Sequence, residues 1–307
     1  MRFSYAVLGH SYALLVIIIW GLTFVSCKIL LNDFSPVEIL FNRFLIATLC
    51  LVVVAPKALK FESLKVECYA AIVGFSGITL YFVFENNALI FSNSSNVSLI
   101  VSSSPFFVAI LNYFLDKTKL GLNFYIGFII AIVGIAFLSM GTLRLKLNPL
   151  GDILALGSAV SWGLYSLYVV KLQRLRINSL YITIKSFFYA VVFTLPLMWG
   201  WGYELKIGRL LDETNLINYL FLAIIASSLS FYFWSKSVEY IGSVKTSVYL
   251  YAIPVVTAVG AHFIINEQLT VYSFVGIALA ILGLVVSQTS TLQLKQIMGK
   301  AFSRNTA

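Results

Sequence analysis

Ten stretches of this chain are apolar and long enough to cross a bilayer as helices: about 11–31, 37–55, 68–90, 95–115, 121–140, 150–170, 178–200, 215–238, 243–265 and 270–289. A helix needs roughly 20 residues to span the hydrocarbon core. No loop between the stretches is long enough to hold a soluble domain. Only 11% of the residues are charged and 60% are hydrophobic, against about 25% charged in an ordinary soluble domain. One water-facing core cannot bury that much apolar surface, so the expected solvent is lipid. The period-two alternation of a membrane barrel is absent. The segments therefore read as helices, which satisfy their own backbone polar groups. The first stretch is too long for the apolar region of a signal peptide and lacks a small-residue cleavage site, so it is expected to stay as a span.

Two polar runs interrupt this pattern at membrane depth. Phe84 to Pro105 reads FENNALIFSNSSNVSLIVSSSP, and Phe233 to Pro254 reads FWSKSVEYIGSVKTSVYLYAIP. Both start with aromatics, carry a charge early, cross a short polar turn and climb to a proline inside an apolar helix pattern. Interrupted helices at matching positions of two halves are the best sequence pointer to a transporter's binding site.

Other landmarks repeat as well. Trp20-Gly21-Leu22 and Trp162-Gly163-Leu164 are 142 residues apart, as are Arg43 and Lys185. Pro105 and Pro254 are 149 apart, as are Gly127 and Gly276, and Gly134 and Gly283. A small insertion in the 202–214 loop accounts for the change of offset. The chain thus divides into two five-helix repeats, 1–145 and 146–307. Five is odd, so the second repeat enters the membrane upside down. The expected fold is an all-α integral membrane protein of ten transmembrane helices in two inverted repeats, an arrangement suited to alternating access.

The net charge of +9, from 21 Lys and Arg against 12 Asp and Glu, does not point to nucleic acid, because the cations are spread over short loops. Fourteen of them lie on the side of the N-terminus, five on the other side, and Arg43 and Lys185 lie inside helices. By the positive-inside rule both termini should be cytoplasmic. Cys27, Cys50 and Cys68 fall within or at the edge of spans and give no disulfide framework.

With these features in hand the sequence resembles the EamA branch of the drug/metabolite transporter superfamily. The resemblance rests on the five-plus-five spans, the Trp-Gly pair opening each half, the mid-helix proline of the fourth helix, the acidic residue closing that helix (Asp116; Glu267 in NEQLT) and the Gly-x6-Gly patterns. It implies a central cavity lined by spans 1, 3, 4, 6, 8 and 9, and export of metabolites across a bacterial cytoplasmic membrane.

Several residues could carry transport. Trp20 and Trp162 lie in mid-span, away from the interface that tryptophan prefers, either as cavity wall or as packing beside the adjacent glycine. Trp20, Thr23 and Cys27 share a helical stripe, as do Ser158, Trp162 and Tyr165. Glu85 lies about five residues inside the outer end of span three, where a bare charge costs at least ~2.5–3.5 kcal/mol. That makes it the proton-coupling candidate, with pairing to Arg43 or to Asn86 and Asn87 as the structural alternative. Lys236 and Glu239, three apart, read as an interfacial ion pair. Arg43 and Lys185 read as ties to a carboxylate or a helix end, with substrate-carboxylate binding as the alternative. Pro105 and Pro254 free the carbonyls of Val101 and Leu250, making these points candidate hinges and the carbonyls candidate acceptors for a substrate ammonium. The glycines of spans five and ten should make tight helix contacts.

The expected lining is therefore Trp20, Thr23, Glu85, Asn96, Ser103, Trp162, Tyr165, Trp234 and Tyr249. The expected function is a secondary transporter exporting a small metabolite, amino-acid-like in character, with protons as candidate coupling ions. The expected partners are the solute and the lipid bilayer. A passive channel is the alternative, although no filter sequence or charged ring is evident. A membrane enzyme is disfavoured: with His10 and His262 as the two histidines, there is no H-E-x-x-H metal site, and there is no GxxxxGK[ST] loop. No cofactor or metal is expected.

Overall fold

The computed structural model describes residues 2–92, 94–117, 120–141, 148–200, 203, 207–266 and 270–288. Among them the regular structure is entirely helical. The main helices are α1 (Arg2–Leu30), α2 (Pro36–Val54), α3 (Leu64–Phe91), α4 (Ser94–Val101), α5 (Ser104–Asp116), α6 (Leu122–Gly141), α7 (Pro149–Arg174), α8 (Ser179–Gly200), α9 (Glu213–Ile241), α10 (Ser243–Ile265) and α11 (Val271–Gln288). Seven helices among the described residues are long and apolar enough to cross a membrane, and Ser104–Leu115, Leu122–Gly134 and Phe274–Ser287 are shorter apolar helices.

Local chemistry starts these helices where the chain leaves the loops. Ser35 and Glu38 form a reciprocal capping box, with Pro36 in the first turn. Ser63 caps α3, Asn148 caps α7 ahead of Pro149, and the Asp212 carboxylate accepts from the amides of Thr214 and Asn215 at the head of α9. The outward faces stay apolar: Val53, Trp199, Phe263 and Val285 are all largely exposed. Contiguous apolar surface of this kind marks contact with something other than water, and with the spanning helices it makes this an integral membrane protein.

Two spans contain wide π-helical segments, Phe75–Leu80 in α3 and Phe221–Leu229 in α9. The first lies against α7 and α8, the second against α1 and α2. α1 packs on α9 and α10, while α7 packs on α3 and α5. The tightest pair is α6 with α11. A Cβ on Gly127 would meet the Gly283 carbonyl at 2.6 Å, and one on Gly283 would meet the Gly127 carbonyl at the same distance. Gly134 faces the Gly276 carbonyl at 2.8 Å. Only bare backbone allows that approach, so the tight contact expected of these glycines is present.

The structure corrects the sequence reading at one boundary: the first helix begins at Arg2, not near residue 11. The interruption expected in the fourth span, 95–115, is a break between α4 and α5. The cause is Pro105, which has no N–H for the Val101 carbonyl. The hydroxyl of Ser104 donates to that carbonyl instead, Ser103 donates to Ile100, and Ser102 to Ser98. Around Pro254 the chain tightens into a 3₁₀ turn over Tyr249–Ala252, and the amide of Ile253 donates to Leu250. Both freed carbonyls thus have partners within the protein, which removes the need for a substrate ammonium there.

Candidate functional site

A narrow cavity of about 20 Å³ lies where α1, α2, α3, α7, α9 and the two interrupted spans meet. Its aromatic wall is Trp20, Phe24, Tyr81, Phe82, Trp162 and Phe231; its polar groups are Thr23, Arg43, Glu85 and Ser104; Val101, Leu250 and Ile253 complete it. Trp20 and Trp162 meet edge to face, with centroids 5.2 Å apart. Phe231 lies 5.2 Å from Trp20 and 6.0 Å from Trp162.

The neighbouring helices fix these side chains individually. The Trp20 indole N–H donates to the Ala226 carbonyl in the π segment of α9, at 2.9 Å. A π turn leaves the regular i→i−4 pattern and is frequent at functional sites. The Thr23 hydroxyl donates back to the Trp20 carbonyl at 2.7 Å. Arg43 is 2% exposed; its Nε donates to the Ser227 hydroxyl at 2.7 Å, and its guanidinium carbon stands 4.5 Å above the Phe82 ring. Glu85 is 1% exposed, and its Oε1 has no hydrogen-bond partner among the described residues. The buried indole N–H of Trp162 is likewise unpartnered.

Of the residues expected at the site, Trp20, Thr23, Glu85 and Trp162 border this cavity. Ser103 does not: its hydroxyl turns back to Ile100, and the break in the helix brings Ser104 to the wall in its stead. Trp234 and Tyr165 form a layer behind the wall. Trp234 packs 4.9 Å from Trp20, and Tyr165 stacks on Trp162 at 4.5 Å while filling the space over Gly77. Tyr249 lies off the cavity, with its hydroxyl 2.8 Å from Nδ1 of His10. The side chain of Asn96, the side chain of Asp116 and all of Glu267 lie outside the described residues.

Arg43 and Lys185, matched by sequence offset, have different surroundings. Lys185 is a tie of the expected kind: its ammonium meets the Glu67 carboxylate at 2.6 Å and the Lys60 carbonyl at 2.8 Å, and Tyr189 donates to the other Glu67 oxygen. Arg43 borders the cavity instead. Sequence reasoning also missed Tyr81 and Phe231. Tyr81 stands one turn before Glu85 and Phe231 one turn before Trp234, so the stripe of each polar or aromatic landmark pointed to them. Lys236 and Glu239 form their ion pair at 2.9 Å.

Two further pockets flank the cavity toward opposite ends of the helices. One is lined by Lys28, Leu31, Asn32, Leu89 and Ile90, with the Phe34–Pro36 turn. The other is lined by Val170, Gln173, Arg174, Val238 and Glu239, with Asn112, Gly242 and Ser243. The first three residues of each pocket differ by 142 in number and the next two by 149, the same offsets that relate the sequence landmarks.

Known proteins resemble this chain along nearly its whole length. The family model described as the EamA-like transporter family matches residues 7–140 and 149–289. A relative from Archaeoglobus fulgidus named "Uncharacterized transporter" is 24% identical over 283 residues, covering 91% of this chain and 96% of the relative. One from Escherichia coli strain K12, named "Probable amino-acid metabolite efflux pump", is 25% identical over 289 residues, covering 90% and 93%. A solved crystal structure superposes with a TM-score of 0.72 at 17% identity, covering 97% of this chain and 99% of that one.

Proposed function

This chain belongs to the EamA-like transporter family, and from that premise we propose that it is a secondary transporter exporting a small, amino-acid-like metabolite by alternating access. Transport is its general function. The solute, the direction and the mechanism are our reading. One observation carries it: an aromatic cavity with buried, unpartnered polar atoms lies between two end pockets whose residues are related by the repeat offsets. An inverted repeat explains why one pocket would exist at each membrane face, since each half supplies the counterpart of the other's gate.

The ten-helix, two-repeat organisation, 1–145 and 146–307, is part of this proposal. It is supported by the reciprocal glycine contacts of α6 with α11 and by the exchanged packing of α1 and α7. In this reading Trp20, Thr23, Glu85 and Trp162 touch the solute; Tyr165 and Trp234 brace the wall; and the broken turns beside Pro105 and Pro254 act as hinges. The membrane is read as a bacterial cytoplasmic membrane with both termini inside. The amino-acid-like solute takes support from the efflux pump named among the relatives and from the mixture of charges and aromatic rings on the wall.

Counterflow in liposomes tests the function. Purified protein should accumulate labelled solute against an excess of unlabelled solute, with saturation. Linear, non-saturating flux without counterflow would mark a passive channel.

A further inference from the structure

Away from the cavity, two helix ends bring four donor side chains together without an acceptor. Lys65 and Tyr69 stand one turn apart near the start of α3, and Tyr168 and Lys171 one turn apart near the end of α7. The two pairs meet. The rings of Tyr69 and Tyr168 cross edge to face, with centroids 5.2 Å apart. The Lys171 ammonium stands 4.2 Å from the Tyr168 ring and 5.5 Å from the Tyr69 ring, and the Lys65 ammonium 5.9 Å from Tyr69. Two like charges thus flank one ring.

Among the described residues neither ammonium has a carboxylate within 4.0 Å, and neither tyrosine hydroxyl has a hydrogen bond. Other lysines are matched: Lys185 meets Glu67, and Lys236 meets Glu239. Glu67, two residues from Lys65, is taken up by Lys185 and Tyr189 of α8. The positive-inside rule accounts for an excess of cations on one side of the membrane. It does not account for two ammoniums and two phenols converging without an anion. A ring face attracts a cation but cannot neutralise two. The missing partner is an anion with several acceptor oxygens, and a phosphate takes charge-assisted bonds from such donors.

The surroundings favour a phosphate carried by lipid. Leu64 and Phe61, beside Lys65, are 72% and 65% exposed. On α7 the exposed row of Ile153, Leu156 and Val160 continues at helical spacing through Leu164 and Leu167 to Lys171. The cluster therefore closes an outward apolar face, at the level where a headgroup lies above its acyl chains. Tyrosine is enriched at that level, and basic pockets between membrane helices bind anionic headgroups.

We propose that Lys65, Tyr69, Tyr168 and Lys171 form a site for the phosphate headgroup of an anionic phospholipid. The site is independent of which solute the protein carries and in which direction. A headgroup bound there neutralises both ammoniums and bridges α3 to α7. Gln173 and Arg174, which line one end pocket, follow Lys171 within one turn, so an occupied site also steadies that end of α7.

The test titrates purified, delipidated protein in detergent with phosphatidylglycerol and reads thermal unfolding. Phosphatidylglycerol should raise Tm saturably. Phosphatidylcholine, which has the phosphate but no net charge, should not. Lys65→Gln/Lys171→Gln should need about thirtyfold more phosphatidylglycerol for the same shift, because each cation near an anionic surface contributes about fivefold. Lys57→Gln/Lys60→Gln removes two charges from the loop ahead of α3, leaves the rings untouched and should titrate as wild type. Should the first double variant fail to fold, Lys171→Gln alone should raise the midpoint about fivefold. No shift in wild type, equal midpoints in wild type and the lysine variants of the site, or an equal loss in the Lys57/Lys60 control would overturn the site. A full shift by inorganic phosphate or glycerol 3-phosphate at the same concentration would make it a site for soluble phosphates and overturn the lipid assignment. Either failure leaves the cavity and its transport role unaffected.

Discussion

Trp20 and Trp162 cross edge to face at 89° in the middle of the protein, yet the indole N–H of Trp20 is bonded to Ala226 and that of Trp162 is unpartnered. Replacing either by Phe removes the same indole. Only Trp20→Phe also deprives the π segment of α9 of a donor, at a cost of about 1 kcal/mol. Thermal unfolding in detergent should therefore place Trp20→Phe about 2 °C below Trp162→Phe. Counterflow should be reduced more by Trp162→Phe, because its free N–H is the one available to a solute. Equal melting temperatures would show that the Ala226 bond contributes nothing.

The α6–α11 contact leads to a packing prediction. A Cβ at Gly283 would lie 2.5 Å from the Ala131 amide nitrogen and 2.6 Å from the Gly127 carbonyl, both backbone atoms that cannot rotate away. Gly283→Ala should destabilise by about 1–3 kcal/mol, the usual cost of overpacking, seen as a lower melting temperature and earlier aggregation on heating. Gly208, with open space around its Cβ position, serves as the control: Gly208→Ala should leave the melting temperature within a degree.

Lys185 and Glu67 pair remote from the cavity. Their side chains are 2% and 12% exposed. Lys185→Met leaves the carboxylate with the Tyr189 hydroxyl and the Glu62 amide only and should cost about 3 kcal/mol. The double variant Lys185→Met/Glu67→Met should regain most of that loss. Counterflow per folded molecule should match wild type in both. A transport defect in the stable double variant would give the pair a role in the cycle.

Much of the site was legible because polarity at membrane depth is expensive and therefore conspicuous. Glu85, Trp20 and Trp162 stand out in an apolar chain for that reason, and offsets of 142 and 149 relate Trp20 to Trp162 and Pro105 to Pro254 in the sequence itself. Register at the broken turn was not legible. Each residue rotates the side chain by roughly 100° in a regular helix, but the Ser102–Ser103 break resets that rotation, so Ser104 faces the cavity instead of Ser103. The π segments have no composition of their own, and they set which face α3 and α9 present. Arg43 was read with Lys185 because the two share an offset. Their fates differ because Glu67 is there to meet Lys185, whereas a serine and an aromatic ring meet Arg43.

The unequal distribution of Lys and Arg predicts topology. A single cysteine replacing Lys146, in a background lacking Cys27, Cys50 and Cys68, should react with an impermeant thiol reagent applied outside intact cells. One replacing Lys300 should react only after the membrane is opened. The reverse pattern would invert the orientation and exchange the roles of the two end pockets.

Coupling is the last prediction, and it starts from the position of Glu85. It is a buried carboxylate on the cavity wall, with Tyr81 and Arg43 beside it and one oxygen unpartnered. A proton can occupy that oxygen in the empty carrier, and a solute ammonium can occupy it in the loaded one. The two occupants compete for one oxygen, which is the mutual exclusion that antiport needs. Glu85→Gln stands in for the protonated form. It should still exchange solute across liposomes at equal pH, provided the solute concentration is raised about tenfold to offset weaker ammonium binding, a free-energy loss of ~1.4 kcal/mol. Uptake driven by a pH gradient should disappear. Full pH-driven transport by a well-folded Glu85→Gln protein would mean that the coupling proton is carried elsewhere, and Glu85 would then be a solute contact alone.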